Sequence, residues 1–132
     1  MADGFLNELK VELIGEKDGR AVWRLLDHLF YRRGDKIICC PYLLETDCAS
    51  VPRLPVIYTL FGDRAHKSAI LHDYLYRADA YPLLKRSECD LIFKEAMIST
   101  GKPWRIYYPM WLGVRLGGGG SYHKRRVRDS LI

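Results

Sequence analysis

His72 and Asp73 stand side by side in the segment Ala69-Ile70-Leu71-His72-Asp73-Tyr74-Leu75-Tyr76. A histidine can exchange a proton near neutral pH, and a carboxylate can orient it or hold a metal, yet these two lie in an apolar stretch. Burying such groups costs free energy unless they are paired. Helical spacing puts His72 on one face with Ala65, Ser68, Ala69, Leu75 and Tyr76, so the imidazole is expected to point inward. Asp73 falls about 100° round the same helix, aligned with Ile70, Tyr76 and Arg77. Further along, Asp90 shares a helical face with Phe93 and Met97. Consecutive helices with a short connection usually pack against each other, which brings Asp90 within reach of His72.

Such a contact has two readings. In the chemical one, Asp90 fixes the imidazole tautomer and stabilises its protonated form, and the second ring nitrogen deprotonates water. Asp73 is then a hard oxygen ligand for Ca²⁺, whose charge would stabilise a developing oxyanion. In the structural one, His72, Asp90 and a tyrosine hydroxyl form a buried hydrogen-bond network that ties two helices together. The loop Thr46-Asp47-Cys48-Ala49-Ser50-Val51-Pro52-Arg53 could belong to the same site. There Asp47 is a further metal ligand or a hydrogen-bond partner for His72, and Arg53 could hold a phosphate or carboxylate. Its plainer reading is a side-chain-capped turn.

The elements that must position these groups follow from the pattern. Residues 5–40 alternate as strands, with Leu9, Val11 and Leu13 on one side and turns at residues 15–19 and 33–35. They predict a small antiparallel β-meander. Pro41, Pro52 and Pro55 keep residues 41–62 irregular. A helix is expected from Asp63 to about Ala78, and a second from Ser87, with Ser87 and Asp90 spaced as a capping box and Gly101 at its end. A third runs from Pro103 to Leu116, with Pro109 inside it. The fold class is α+β: strands first, then two or three packed helices, in one globular domain over residues 1–116.

The net charge of +5 sits at one end. Residues 1–101 hold 14 Lys and Arg against 15 Asp and Glu, whereas residues 102–132 hold seven basic residues and only Asp129. Gly117 to Gly120 is expected to act as a hinge that releases residues 117–132 as a basic tail. Such a tail could meet nucleic acid, anionic lipid or an acidic protein surface. Trp104, Tyr107, Tyr108 and Trp111 recur at helical spacing, usually a core stripe but here dense enough for a protein interface. Cys39, Cys40, Cys48 and Cys89 form no metal or disulfide framework and are expected as reduced thiols. No apolar run approaches a bilayer span, and Met1-Ala2-Asp3-Gly4 lacks a signal-peptide pattern, so synthesis and residence in the cytoplasm are expected.

Two resemblances join these residues to known families. His72-Asp73-x-x-Tyr76, followed by Cys89-Asp90 and an aromatic, resembles the catalytic helix pair of phospholipase A2, especially the branch found in parvovirus capsid proteins. That resemblance implies His72 as general base, Asp90 as its orienting partner, Tyr76 as support and Asp73 as the calcium carboxylate. The calcium loop of that family is glycine-rich, whereas Leu60-Phe61-Gly62-Asp63 offers one glycine. Thr46-Asp47-Cys48-Ala49-Ser50-Val51-Pro52-Arg53, His72-Asp73-x-Leu75-Tyr76 and Asp90-x-x-Phe93-x-x-Ala96-Met97 together resemble a family of short bacteriophage proteins of unknown function. This second likeness implies a phage or prophage origin, other phage structural proteins as partners, and a host-cytoplasmic or virion location.

Overall fold

Strand formation follows the alternation in the first forty residues. The computed structural model describes residues 3–48 and 64–132, with residues 64–66 described by their backbone alone. The strands are β1 (Gly4–Phe5), β2 (Val11–Lys17), β3 (Arg20–Leu25), β4 (Leu29–Arg33), β5 (Lys36–Cys40) and β6 (Glu45–Thr46). They form two three-stranded antiparallel sheets, ordered β1-β4-β5 and β2-β3-β6, rather than one meander. Both hairpins turn on two residues. Asp18 and Gly19 have φ of 51° and 76°, the left-handed pair of a type I′ turn, and Gly34 has φ of 63° between the paired Arg33 and Lys36.

The chain changes sheets between β3 and β4. There the Asn7 side chain accepts from the Phe30 N–H and donates to the His28 carbonyl, which satisfies backbone groups where the ladder breaks. After β5, a turn at Pro41–Leu44 returns the chain so that β6 pairs with β3 at Trp23 and Arg24. This pairing lies in a stretch whose prolines suggested no regular structure. It matters for the site because it fixes Thr46 and Asp47.

Among the described residues the α-helices are α1 (Arg64–Leu75), α2 (Arg86–Ser99) and α3 (Trp104–Gly117). From Ser68 to Leu75 every residue of α1 is buried, because sheet and helix residues enclose it together. Ile70, Leu71 and Leu75 pack with Leu25, Leu29, Tyr31, Ile38 and Ile92 in the larger core. Ala69, Phe93 and Met97 join Ile106, Met110 and Val114 of α3 in a second cluster. The predicted capping box of α2 does not form: Lys85 is the N-cap and no side chain caps it, so Ser87 lies inside the first turn and Asp90 in the second. The C-terminus does close as expected. Gly101 has φ of 85°, its N–H bonds the Ile98 carbonyl, and Lys102 N–H bonds that of Met97, a Schellman ending.

Pro109 lies within α3, which continues through it. The aromatic stripe is not core. Ile106, Met110 and Val114 form the buried face, while Trp104 is 64% exposed and Lys94 lies over the rings of Tyr108 and Trp111. The expected hinge and free tail are also absent from residues 117–132. Gly117 ends α3, Gly118–Gly120 is a 3-10 turn, and the chain packs back on the domain. Ala78 N–H bonds Arg125 O, His123 N–H bonds Tyr76 O, and Leu131 is buried. The backbone groups left open beyond α1 thus find partners in the C-terminal segment, which outweighs the freedom of four glycines.

Two glycine substitutions test these endings by urea denaturation. Gly101→Ala is expected to destabilise by about 1 kcal/mol, since a side chain is strained at its φ. Gly117→Ala meets no atom within 4 Å and has φ of −114°, so it is expected to be neutral or stabilising.

Candidate functional site

The site is assembled around one carboxylate. Asp90, in the second turn of α2, is fully buried, and so is His72 in the last turn of α1. His72 Nε2 lies 2.7 Å from Asp90 Oδ1, and the Tyr76 hydroxyl donates to that same oxygen at 2.6 Å. From α3, Arg115 Nη1 donates to Asp90 Oδ2 at 2.7 Å. The His72 ring is flanked by Tyr76 and Phe93, with centroids 4.1 Å and 4.9 Å away. Its position is therefore fixed by packing as well as by the carboxylate.

The electrostatics follow from these contacts. Burial alone would raise the Asp90 carboxyl, but hydrogen bonds from His72, Tyr76 and Arg115 outweigh it and hold the group below its ordinary value. The Tyr76 hydroxyl is pushed up, first by burial and then by its bond to Asp90, so it stays a donor. Asp90 therefore remains ionised where an uncompensated buried carboxylate would take up a proton.

A second cluster adjoins the first. Asp73 Oδ2 accepts from the Thr46 hydroxyl at 2.6 Å and from Arg77 Nη2 at 2.8 Å. Arg77 is 1% exposed, and its guanidinium also donates to the carbonyls of Glu45 and Arg126. Asp47 receives both terminal nitrogens of Arg125, at 2.9 and 3.2 Å. A pocket of about 150 Å³ opens beside these groups, lined by Asp73, Tyr76, Arg77, Gly120, Ser121, Lys124 and Arg125.

The structure thus brings together His72, Asp90 and Tyr76 as the spacing suggested. It places Asp73 and Asp47 each against a guanidinium. Arg53 and the Leu60–Asp63 segment lie outside the described residues. Among the described residues no group of three His, Cys, Asp or Glu side chains converges to hold a metal ion. Among the described residues the donors at Asp73 do not fit calcium, since Arg77 supplies the positive charge that a cation would. Reasoning from local spacing missed Arg115 and Arg125, which reach the site from 25 and 78 residues away along the chain. Their only signal in sequence is an excess of arginine near the C-terminus.

A family model described as "Protein of unknown function (DUF1353)" matches residues 23–114. The chain belongs to this family. The matched part of this DUF1353 protein contains Thr46, Asp47, His72, Asp73, Tyr76, Arg77 and Asp90, whereas Arg115, Lys124 and Arg125 follow it. No curated protein matches the chain significantly, and no solved structure does.

Replacement of Asp90 tests the electrostatic account. The folded carboxyl has a lowered pKa, so its stabilisation is present above the unfolded value of about 4 and is lost as pH falls through the folded one. Asp90→Asn is expected to cost about 3 kcal/mol at neutral pH, because it leaves the Arg115 guanidinium without its counter-charge. It should also show a shallower loss of stability than wild type below about pH 4, measured by urea unfolding across that range.

Proposed function

We propose that this DUF1353 protein is a bacteriophage or prophage accessory protein with a His–Asp hydrolase site. His72 is its general base, Asp90 the group that orients the base, and Tyr76 a support for the carboxylate. The observation that carries this reading is the 2.7 Å contact between His72 Nε2 and an Asp90 carboxylate held ionised by two further donors. A carboxylate so held accepts from the Nε2–H and fixes the imidazole tautomer. The remaining ring nitrogen is then the atom that takes a proton from water as it attacks an acyl ester. The ester class follows from the likeness of His72-Asp73-x-x-Tyr76 and Asp90 to the phospholipase A2 helix pair. The step assigned to these side chains uses no calcium, consistent with Asp73 being paired to Arg77. The phage setting follows from the three ordered motifs, and it points to other phage proteins as partners.

One observation favours a second reading, in which the chain is a virion, tail or baseplate assembly protein. His72 is 0% exposed and Asp90 binds α1 and α3 at once, which is also what a purely structural network would do.

Hydrolysis of short-chain 4-nitrophenyl esters and of phospholipid in mixed micelles separates the two. On the enzymatic reading wild type is active, and His72→Gln lowers the rate by about a hundredfold or more with its circular dichroism spectrum retained. Absence of activity on both substrates, or a His72→Gln variant that keeps its rate and only loses thermal stability, favours the assembly reading.

A further inference from the structure

The outward face of α3 is apolar along its whole length. Trp104, Tyr108, Leu112 and Leu116 recur every fourth residue, and each is between 49% and 80% exposed. Helical period sets them in one stripe, opposite the buried Ile106, Met110 and Val114. Lys94 lies over the rings of Tyr108 and Trp111, so α2 borders the stripe. One turn further along α2, Ile98 is exposed as well. Contiguous apolar surface of this kind, edged by polar groups, marks a place of contact.

The uncompensated charges beside this stripe have one sign. α3 contains Arg105 and Arg115 and no carboxylate. Arg115 is offset by Asp90, whereas Arg105 and Lys94 form no ion pair among the described residues. The other carboxylates of α2, Glu88 and Glu95, are both paired with Arg33. The face therefore meets solvent as aromatic and aliphatic surface edged by two free cations.

We infer that this face docks on an anionic lipid surface, with α3 lying in the plane of the interface. Trp104 and Tyr108 carry apolar rings with a polar tip, which suits the boundary between headgroups and acyl chains. Leu112 and Leu116 enter the apolar layer, while Arg105 and Lys94 meet lipid phosphates. The helix lies on the membrane and does not cross it, since its 14 residues span about 21 Å, short of a bilayer core. A protein groove that grips a helix closes round it, but α3 is already packed on α2 along its inner side. A flat, fluid surface needs only the side that α3 presents. A second copy of the chain would bring the same unpaired cations against each other. The inference does not rest on the hydrolase reading, and its test uses no activity.

Co-sedimentation of the full chain with vesicles tests it, using phosphatidylcholine alone and phosphatidylcholine mixed with phosphatidylglycerol. Binding to the anionic vesicles is expected to be stronger by about tenfold or more, and to weaken as salt is raised. Leu112→Glu combined with Leu116→Glu is expected to lower binding by about a hundredfold, and Arg105→Gln by about fivefold. All three side chains are exposed, so the circular dichroism spectra should be unchanged. The proposal is overturned if neither vesicle binds, if both bind alike, or if the leucine variant binds as wild type does. It is overturned equally if wild type ignores vesicles but light scattering shows a dimer that the leucine variant loses, since a second copy then covers the face.

Discussion

One buried carboxylate joins all three described helices. Asp90 belongs to α2, takes His72 and Tyr76 from α1 and its following turn, and takes Arg115 from α3. An ionised group cannot be left alone in such surroundings, so the helices must meet where its donors can all reach it. The hydrophobic clusters around Phe93, Met97, Met110 and Ile92 give the contact its energy, but they are tolerant of small shifts. The hydrogen bonds at Asp90 are not, and they set the register between the helices.

The same logic extends outward through the other two carboxylates. Asp73 and Asp47 each meet an arginine, and each arginine reaches further. Arg77 ties α1 to the carbonyl of Glu45 in β6 and to Arg126, while Arg125 lies in the segment that returns under the helices. A chain of ion pairs and backbone contacts thus runs from the small sheet through α1 to the C-terminus. Its strength comes from burial: guanidinium–carboxylate pairs of this kind are costly to break from one side, whereas an exposed pair such as Arg126–Asp79 adds little. A His–Asp pair whose carboxylate also organises three helices is a structural clamp that fixes the imidazole in place.

The local patterns were legible where the physics is local. Asp18-Gly19 and Gly34 predict tight turns because left-handed backbone favours them, and Gly101 predicts a helix end for the same reason. The inward face of His72 follows from helical period, and its approach to Asp90 from the packing of consecutive helices. The patterns that misled were those in which one residue type serves two purposes. Ser87 and Asp90 have capping-box spacing, but the helix already starts at Lys85, and a buried network holds the aspartate. Four consecutive glycines read as a hinge, but packing of Tyr122 and Leu131 and the backbone bonds beyond α1 hold the segment down.

The sequence alone determined the α+β class, the order of strands and helices, and the His72–Asp90 pairing, since each depends on residues within one element or on neighbouring helices. Only the tertiary structure decided the split into two sheets, the fate of Asp73 and Asp47, and the use of Arg115 and Arg125. Those outcomes hinge on groups far apart in the chain, where spacing carries no information and proximity is set by the whole core. The aromatic stripe of α3 shows why. Helical period places Trp104 and Tyr108 together, but which face of that helix met the domain was settled by the fit of Ile106, Met110 and Val114 against α2.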